Sequence, residues 1–166
     1  MLFPILANQF ISLTVKNEIE HIAFEDIDPE NWNTHALELE LKALLANNEL
    51  SIPSTIRSKQ ELHDIAAPYE DSYKKQLQEL EAEGNSLYSL KHIMLGTLDY
   101  QWVKHLEMMT RLKEGIGLRS YQQEDPLRIY QREGLDLFTY SYNNIAKNIA
   151  LETANEVKAA LQKKEA

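Results

Sequence analysis

Apolar residues recur at steps of three and four along most of the chain, which is the spacing of one face of an α-helix. The pattern predicts a first helix over about 5–24 and a second over about 33–46, where the first residue is an asparagine, a common helix cap. Ser58 and Glu61 have the spacing of a capping box and predict the start of a third helix. Because Pro68 removes an amide donor inside that helix, we expect either a kink or two helices.

Two longer patterns fill the second half of the chain. The first predicts the longest helix, over about 86–114, which Gly115 and Gly117 are expected to break. The next helix is predicted to start at Asp125 and Pro126. Aspartate accepts the free amide hydrogens of a first turn, and proline fits the first helical position because its missing N–H has no partner there.

Two long helices with apolar stripes and a short connection usually fold back on each other in antiparallel fashion. The predicted fold class is therefore all-α, with a helical unit followed by a long antiparallel two-helix hairpin whose tip lies within 113–126. Gly134 in the second arm predicts a close helix crossing. The last residues, 151–166, are rich in Ala, Glu and Lys and are expected to continue as a fraying helix.

The apex of the hairpin combines an apolar residue, a cation and an aromatic residue, namely Leu118, Arg119 and Tyr121. Aromatic residues and arginine are enriched where proteins bind other chains. A binding tip is one interpretation of this mixture. The other is an ordinary helix–helix connection in which Tyr121 folds back onto its own hairpin.

Composition limits the possible functions. The chain has 166 residues and a formal net charge of −9, which argues against nucleic acid as a partner because phosphate binding needs clustered Lys and Arg. It contains no Cys, so disulfides and thiolate metal sites are excluded. The apolar run 1–7 is too short to span a bilayer and lacks a basic leader, so we interpret it as the point where a larger chain was cut and not as a signal peptide.

Motifs for catalysis are missing from the sequence. It has no phosphate-binding loop, no dinucleotide-binding glycine pattern and no His-Glu-x-x-His helix. The five histidines are scattered, and no two have the spacing that would place them over a metal on one helical face. The segment 17–41 has eight acidic residues and no Lys or Arg, which fits either a solvated surface or a docking surface for a basic partner.

The second half of the chain also resembles a known family. The resemblance is carried by Leu98-Asp99, Trp102, His105-Leu106, the run from Leu112 to Arg119, Tyr121, Asp125-Pro126 and the run from Tyr130 to Glu133. This ungapped pattern is similar to the C-terminal part of SecA, the motor ATPase of bacterial preprotein export, where it forms the two-helix finger of the helical scaffold domain. Upstream, the run from Asp28 to Trp32 and residues 36–38 resemble the start of the helical wing domain. The resemblance covers roughly residues 10 to 145.

The resemblance implies a fragment of the SecA-type motor subunit, whose finger contacts the preprotein and the SecY channel and regulates the ATPase. The residues implied to contact the partner chain are Tyr121, Arg119, Leu118 and Ile116. The residues implied to hold the hairpin are Trp102, His105, Gly115, Asp125 and Pro126. ATP and Mg²⁺ would bind the motor domains of the parent polypeptide, so this chain would need no cofactor and would not itself be an enzyme. It would act in the cytoplasm, peripherally associated with the inner face of the cell membrane.

The same resemblance implies four segments. Residues 1–24 would end the long scaffold helix, 25–84 would form the helical wing domain, 85–150 the two-helix finger, and 151–166 a C-terminal helical tail. Three tip residues depart from the family pattern, since Ser120, Gln122 and Glu124 replace residues that are commonly Gly, Ala and Lys. The tip is therefore predicted to be bulkier and less positive than usual, and both a housekeeping member and a divergent or accessory member of the family stay open.

Two alternatives remain open. The first is a free-standing helical adaptor that has kept the hairpin without any motor. The second is a coiled-coil dimer, which the breaks predicted at Gly115 and Pro68 disfavour because a coiled coil needs an unbroken stripe.

Overall fold

The described residues form five α-helices, which agrees with the all-α prediction. The computed structural model describes residues 2–24, 26–82, 87–119 and 125–165. The helices are α1 Leu2–Ile22, α2 Thr34–Leu44, α3 Lys59–Ala82, α4 Leu87–Arg119 and α5 Pro126–Glu165, with a 3-10 turn at Pro29–Asn31 before α2. None of the helices in these ranges is long and apolar enough to cross a membrane.

The predicted caps start α2 and α3. The Asn33 side-chain oxygen accepts a hydrogen bond from the Ala36 amide at 3.1 Å, which satisfies one free donor of the first turn of α2. The Glu61 amide donates to the Ser58 hydroxyl at 3.2 Å, and the Glu61 carboxylate reaches back to the Arg57 amide at 3.1 Å. The start of α3 is therefore a capping box that closes one residue earlier than usual.

The end of α2 lies slightly before the predicted Ala46. Ala46 has a left-handed backbone with φ of 49°, and the Asn47 amide donates to the Lys42 carbonyl at 3.2 Å. This is the bond that closes a Schellman motif, in which glycine usually takes the left-handed position. The helix stops because the chain satisfies its last carbonyls by turning there.

Helix α3 runs through Pro68 as one helix. Of the two alternatives predicted there, two separate helices are wrong, and the kink stays a prediction. Pro68 itself is exposed, whereas the apolar face of the helix is buried on both sides of it, at Leu62 and Ala66 and again at Tyr73. Burial of that face can offset the loss of one backbone hydrogen bond, because tertiary packing supplies most of the stability of a helix.

Helix α4 also continues where a break was predicted. It passes through Gly115 and Gly117 and ends at Arg119, so these glycines do not terminate it. Each glycine costs about 1 kcal/mol against alanine in a helix interior. The buried side chain of Ile116 lies between them and favours the helical conformation through packing. The longest helix is α5, with 40 residues against 33 in α4, which corrects the prediction that the first arm would be longest.

One large apolar cluster joins α1, α2 and α3 to the far end of α5. In the final stretch of α5, Thr153, Ala154 and Val157 are buried, and the Thr153 hydroxyl donates to the Ile149 carbonyl at 2.7 Å. The last stretch is therefore part of the core over these residues and does not fray there. Helix α5 has no break near residue 150, and the four-segment division stays a prediction.

Helix α1 lies between two apolar clusters. Its residues Ile11 and Val15 are buried in the large cluster, whereas Phe10 belongs to a second cluster with Met94 and Ile145 at the base of the hairpin. A helix that contacts neighbours on more than one side has more than one apolar stripe. Ile11 and Val15 therefore lie on a different side of α1 from Phe10.

Several acidic side chains of segment 17–41 form ion pairs within the chain. Lys147 of α5 lies 2.7 Å from Glu18 and 3.7 Å from Glu40, and Lys59 of α3 lies 2.6 Å from Glu20. Burial lowers the pKa of Lys147, but the hydrogen bond and charge of Glu18 outweigh it, and the net pKa is raised. These pairs hold α1 against α5 and α3. The segment therefore also stabilises the fold, in addition to the solvated surface or docking surface predicted from its charge.

Candidate functional site

The α4 and α5 arms form an antiparallel hairpin. Position 105 on α4 contacts position 141 on α5, and position 109 lies beside position 134. The partner number on α5 falls as the number on α4 rises, which defines the antiparallel direction. The arms therefore lie side by side from their base to the two ends that flank the tip, Arg119 on α4 and Asp125 before α5, as predicted.

A polar contact lies in the centre of the hairpin. The Ser141 hydroxyl and His105 Nδ1 are 3.2 Å apart, and both side chains are buried. The His105 ring contacts two aromatic rings, with centroid distances of 5.4 Å to Trp102 and 5.7 Å to Phe138. A buried polar group must find a partner, so this contact favours one register of the two arms. The sequence pattern places Ser141 on the stripe of the second arm that can face the first, but its pairing with His105 was not predicted.

The arms approach closely on the tip side of this contact. A Cβ atom built on Gly134 would lie 3.1 Å from the Met109 Cε and 3.9 Å from the Leu112 Cδ2. The absence of a side chain at position 134 therefore leaves room for the end of the Met109 side chain. The predicted close crossing is supported at the level of this side-chain contact.

Apolar packing continues to the ends of both arms. Ile116 on α4 is only 7% exposed and Ile129 on α5 only 4%. Asp125 caps α5, since its side-chain oxygen accepts from the Leu127 amide at 3.0 Å, and Pro126 is the first helical residue. Buried apolar side chains thus lie on both arms next to the tip, and the Asp125 cap starts the second arm directly after it.

The residues implied to contact a partner fall into three groups. Ile116 is buried within the hairpin, so it can shape the tip from beneath. Leu118 and Arg119 form the last two positions of α4, and only their backbone is described. Tyr121 lies outside the described residues.

The residues implied to hold the hairpin also lie in different surroundings. His105 is buried in the seam, whereas Trp102 is half exposed beside it. Gly115 is helical, and a Cβ atom at that position would meet nothing within 4 Å. In the described ranges no group of three or more His, Asp or Glu side chains is placed to hold a metal ion.

The fold and this site define a class of protein: an all-α unit whose two longest helices pair antiparallel and bring the loop between them to the end of a packed hairpin. The comparisons with known proteins give the family. The sequence profile described as "SecA Wing and Scaffold domain" matches residues 5–155, so the chain belongs to this family.

Curated relatives agree with this assignment. A protein translocase subunit SecA 2 from Bacillus thuringiensis (strain Al Hakam) is 38% identical over 135 residues, which cover 80% of this chain and 17% of that protein. A protein translocase subunit SecA from Orientia tsutsugamushi (strain Ikeda) is 37% identical over 147 residues, covering 79% of this chain and 16% of the relative. The chain therefore spans about a sixth of the length of these relatives. No solved structure matches it.

Proposed function

We propose that this chain is the wing and finger portion of a SecA-type motor subunit, and that the tip of its hairpin contacts the preprotein and the SecY channel. The observation that carries the proposal is the packing of the two arms up to Ile116 and Ile129, directly before the tip. Two helices that stay packed along their length transmit a displacement at the base to the loop with little bending. A loop at the end of such a hairpin is suited to act on another chain.

The tip residues would divide the contact between them. Tyr121 would touch the polypeptide through its ring and hydroxyl, which tolerate many sequences because stacking and hydrogen bonding require no particular side chain. Arg119 and Leu118 would set the charge and apolar character of the tip, and Ile116 would support it from within the hairpin. ATP and Mg²⁺ would bind motor domains of the parent polypeptide, and the whole would act peripherally at the inner face of the cell membrane.

The experiment transfers this 166-residue segment into a full-length SecA in place of the corresponding segment. Translocation of a preprotein and ATP turnover are measured for the chimera, for Tyr121→Ala, and for Tyr140→Ala as a matched control. Tyr140 is an exposed tyrosine of the second arm, away from the tip. We expect Tyr121→Ala to lose most of the translocation while Tyr140→Ala keeps it. Undiminished translocation with unaltered ATP turnover in Tyr121→Ala would contradict the proposal and favour the adaptor.

A further inference from the structure

The corner between α1 and α2 presents two large apolar side chains to solvent. Phe24 is 50% exposed and Ile27 is 42% exposed. Asp26, Asp28 and Glu30 lie beside them in the chain, and all three are exposed. We define these five residues as the acidic corner. Single exposed apolar residues are common on soluble proteins, so what holds and surrounds this pair decides what it can do.

Hydrogen bonds hold the acidic corner in one shape. The Ile27 amide donates to the Phe24 carbonyl at 3.2 Å, which closes a turn and keeps positions 24 and 27 within about 7 Å of each other. The Trp32 indole N–H donates to the Ile27 carbonyl at 3.0 Å, and Trp32 itself packs against the large apolar cluster. The Phe24 ring contacts the His21 ring of α1 edge to face, with centroids 5.8 Å apart. The fold therefore presents Phe24 and Ile27 as neighbours on a fixed backbone.

The acidic residues of segment 17–41 differ in whether the chain neutralises them. Those on α1 and α2 form ion pairs with lysines of the chain, namely Glu18, Glu20, Glu38 and Glu40. Asp26, Asp28 and Glu30 lie between those two helices, and in the described part of the chain their side chains form no ion pair or hydrogen bond. Asp28 even precedes the 3-10 turn at Pro29–Asn31 without capping it. The carboxylates of the acidic corner are therefore the ones left for a cation from outside.

We propose that the acidic corner binds a basic segment of a partner protein, one that carries a large apolar side chain between Lys or Arg residues. The apolar side chain of the partner packs against Phe24 and Ile27, and its cations pair with the three carboxylates. Charge selects this partner over other classes. The chain has a net charge of −9 and no Lys or Arg within 17–41, so the phosphates of a nucleic acid or of an anionic lipid surface are repelled.

The two kinds of contact have different tasks. Ion pairs between exposed side chains are individually weak, because water and salt screen them. Complementary charge therefore selects the partner and speeds the encounter, whereas the apolar contact supplies most of the affinity. Binding should weaken as salt is raised, and it should also require the apolar side chain of the partner.

The test is a titration of the full 166-residue chain with a short synthetic peptide of Leu and Lys at helical spacing. The chain has two tryptophans, so nuclear magnetic resonance shows two indole N–H signals, and a Trp102→Phe variant assigns them. The Trp32 signal reports on the acidic corner through its bond to the Ile27 carbonyl, and the Trp102 signal reports on the hairpin. We expect the Trp32 signal to shift at a lower peptide concentration than the Trp102 signal.

A pair of variants tests the apolar contact. Phe24→Ser should raise the dissociation constant from the Trp32 titration about tenfold, because it removes the larger of the two apolar side chains. The control is Leu127→Ser, which removes an exposed apolar side chain in the first turn of α5, next to the tip of the hairpin. This control should bind the peptide as the original chain does.

A second pair of variants tests the charges. Asp28→Asn combined with Glu30→Gln should raise the dissociation constant about fivefold, because two exposed ion pairs are lost. The control combines Asp71→Asn with Glu79→Gln, which removes two exposed carboxylates of α3 and changes the net charge by the same amount. Binding by the control should be nearly unchanged.

Circular dichroism checks that each variant keeps its helices, and Ile27→Ser replaces Phe24→Ser if the latter fails to fold. The proposal is overturned if the Trp32 signal does not shift, or if the Trp102 signal shifts at the lower concentration. It is equally overturned if either control weakens binding as much as its matched variant. A peptide with Glu in place of Lys, or with Ser in place of Leu, that binds as tightly would also overturn it. Translocation is not measured here, so the outcome is independent of the proposed function.

Discussion

Replacement of Ser141 by alanine tests the polar contact in the centre of the hairpin. The change removes the hydroxyl that lies 3.2 Å from His105 Nδ1 and leaves the backbone of α5 intact. His105 is only 6% exposed, so water can replace the lost partner poorly. The ring nitrogen is then left without its partner in a buried site.

The expected magnitude follows from two opposing effects. Leaving a buried polar atom unpaired costs about 1–3 kcal/mol. Alanine is the better helix former, which returns about 0.5 kcal/mol. We therefore expect Ser141→Ala to lower the free energy of unfolding by about 0.5–2.5 kcal/mol.

Urea unfolding followed by circular dichroism measures this difference. A cycle with His105→Leu and the double variant separates the contact from the individual side chains, because replacing both polar partners by apolar groups can be nearly neutral. The double variant should then lose less free energy of unfolding than the sum of the losses in the two single variants. A Ser141→Ala protein that is as stable as the original, or more stable, would refute the reasoning.

Other perturbations have defined outcomes. Gly96→Ala and Gly115→Ala should each raise the free energy of unfolding by about 1 kcal/mol, because a Cβ atom meets nothing within 4 Å at either position. Gly134→Ala should raise it less, because its Cβ atom would meet the Met109 side chain. Equal gains at all three positions in urea unfolding would contradict the close contact at Gly134. Tyr73→Phe should be neutral or stabilising, since the buried Tyr73 hydroxyl has no hydrogen-bond partner among the described residues; a loss above about 1 kcal/mol would argue against this. The hydrogen bonds from the Ile52 amide and Lys42 hold the pKa of Glu38 below its ordinary 4.5. The ionised Glu38 therefore stabilises the fold fully above pH 4.5, and this contribution is lost as the pH falls through the lowered pKa of the folded state. Glu38→Gln should therefore reduce the loss of stability in acid unfolding curves, and an unchanged acid limb would contradict the assignment.

Local chemistry made the starts of the helices predictable. The caps at Asn33, Ser58 and Asp125 act within one turn of the chain, so the side chain and its backbone partner are both visible in the sequence. The ends were less predictable, because Gly115 and Gly117 weaken a helix only slightly. Burial of Ile116 against the rest of the hairpin, which no local pattern reveals, decides that α4 continues.

Tertiary partners explain the remaining differences. The apolar stripes gave the antiparallel pairing, but they could not show that α1 contacts two clusters or that the final residues of α5 enter the core. The close approach at Gly134 was predictable because a glycine inside a helix suggests a missing side chain. The match of Ser141 to His105 was not, since it depends on the register of two helices 36 residues apart along the chain.

The packed hairpin can be tested most directly by a distance between its arms near the tip. The chain has no cysteine, so single cysteines in place of the exposed Lys113 and Gln131 can carry a spin label on each arm. Labelled protein is diluted with unlabelled chain so that only distances within one molecule contribute. We expect one short, narrow distance distribution, because packed helix axes lie about 8–10 Å apart. A broad distribution at long distance would show that the arms separate before the tip and would contradict the hairpin.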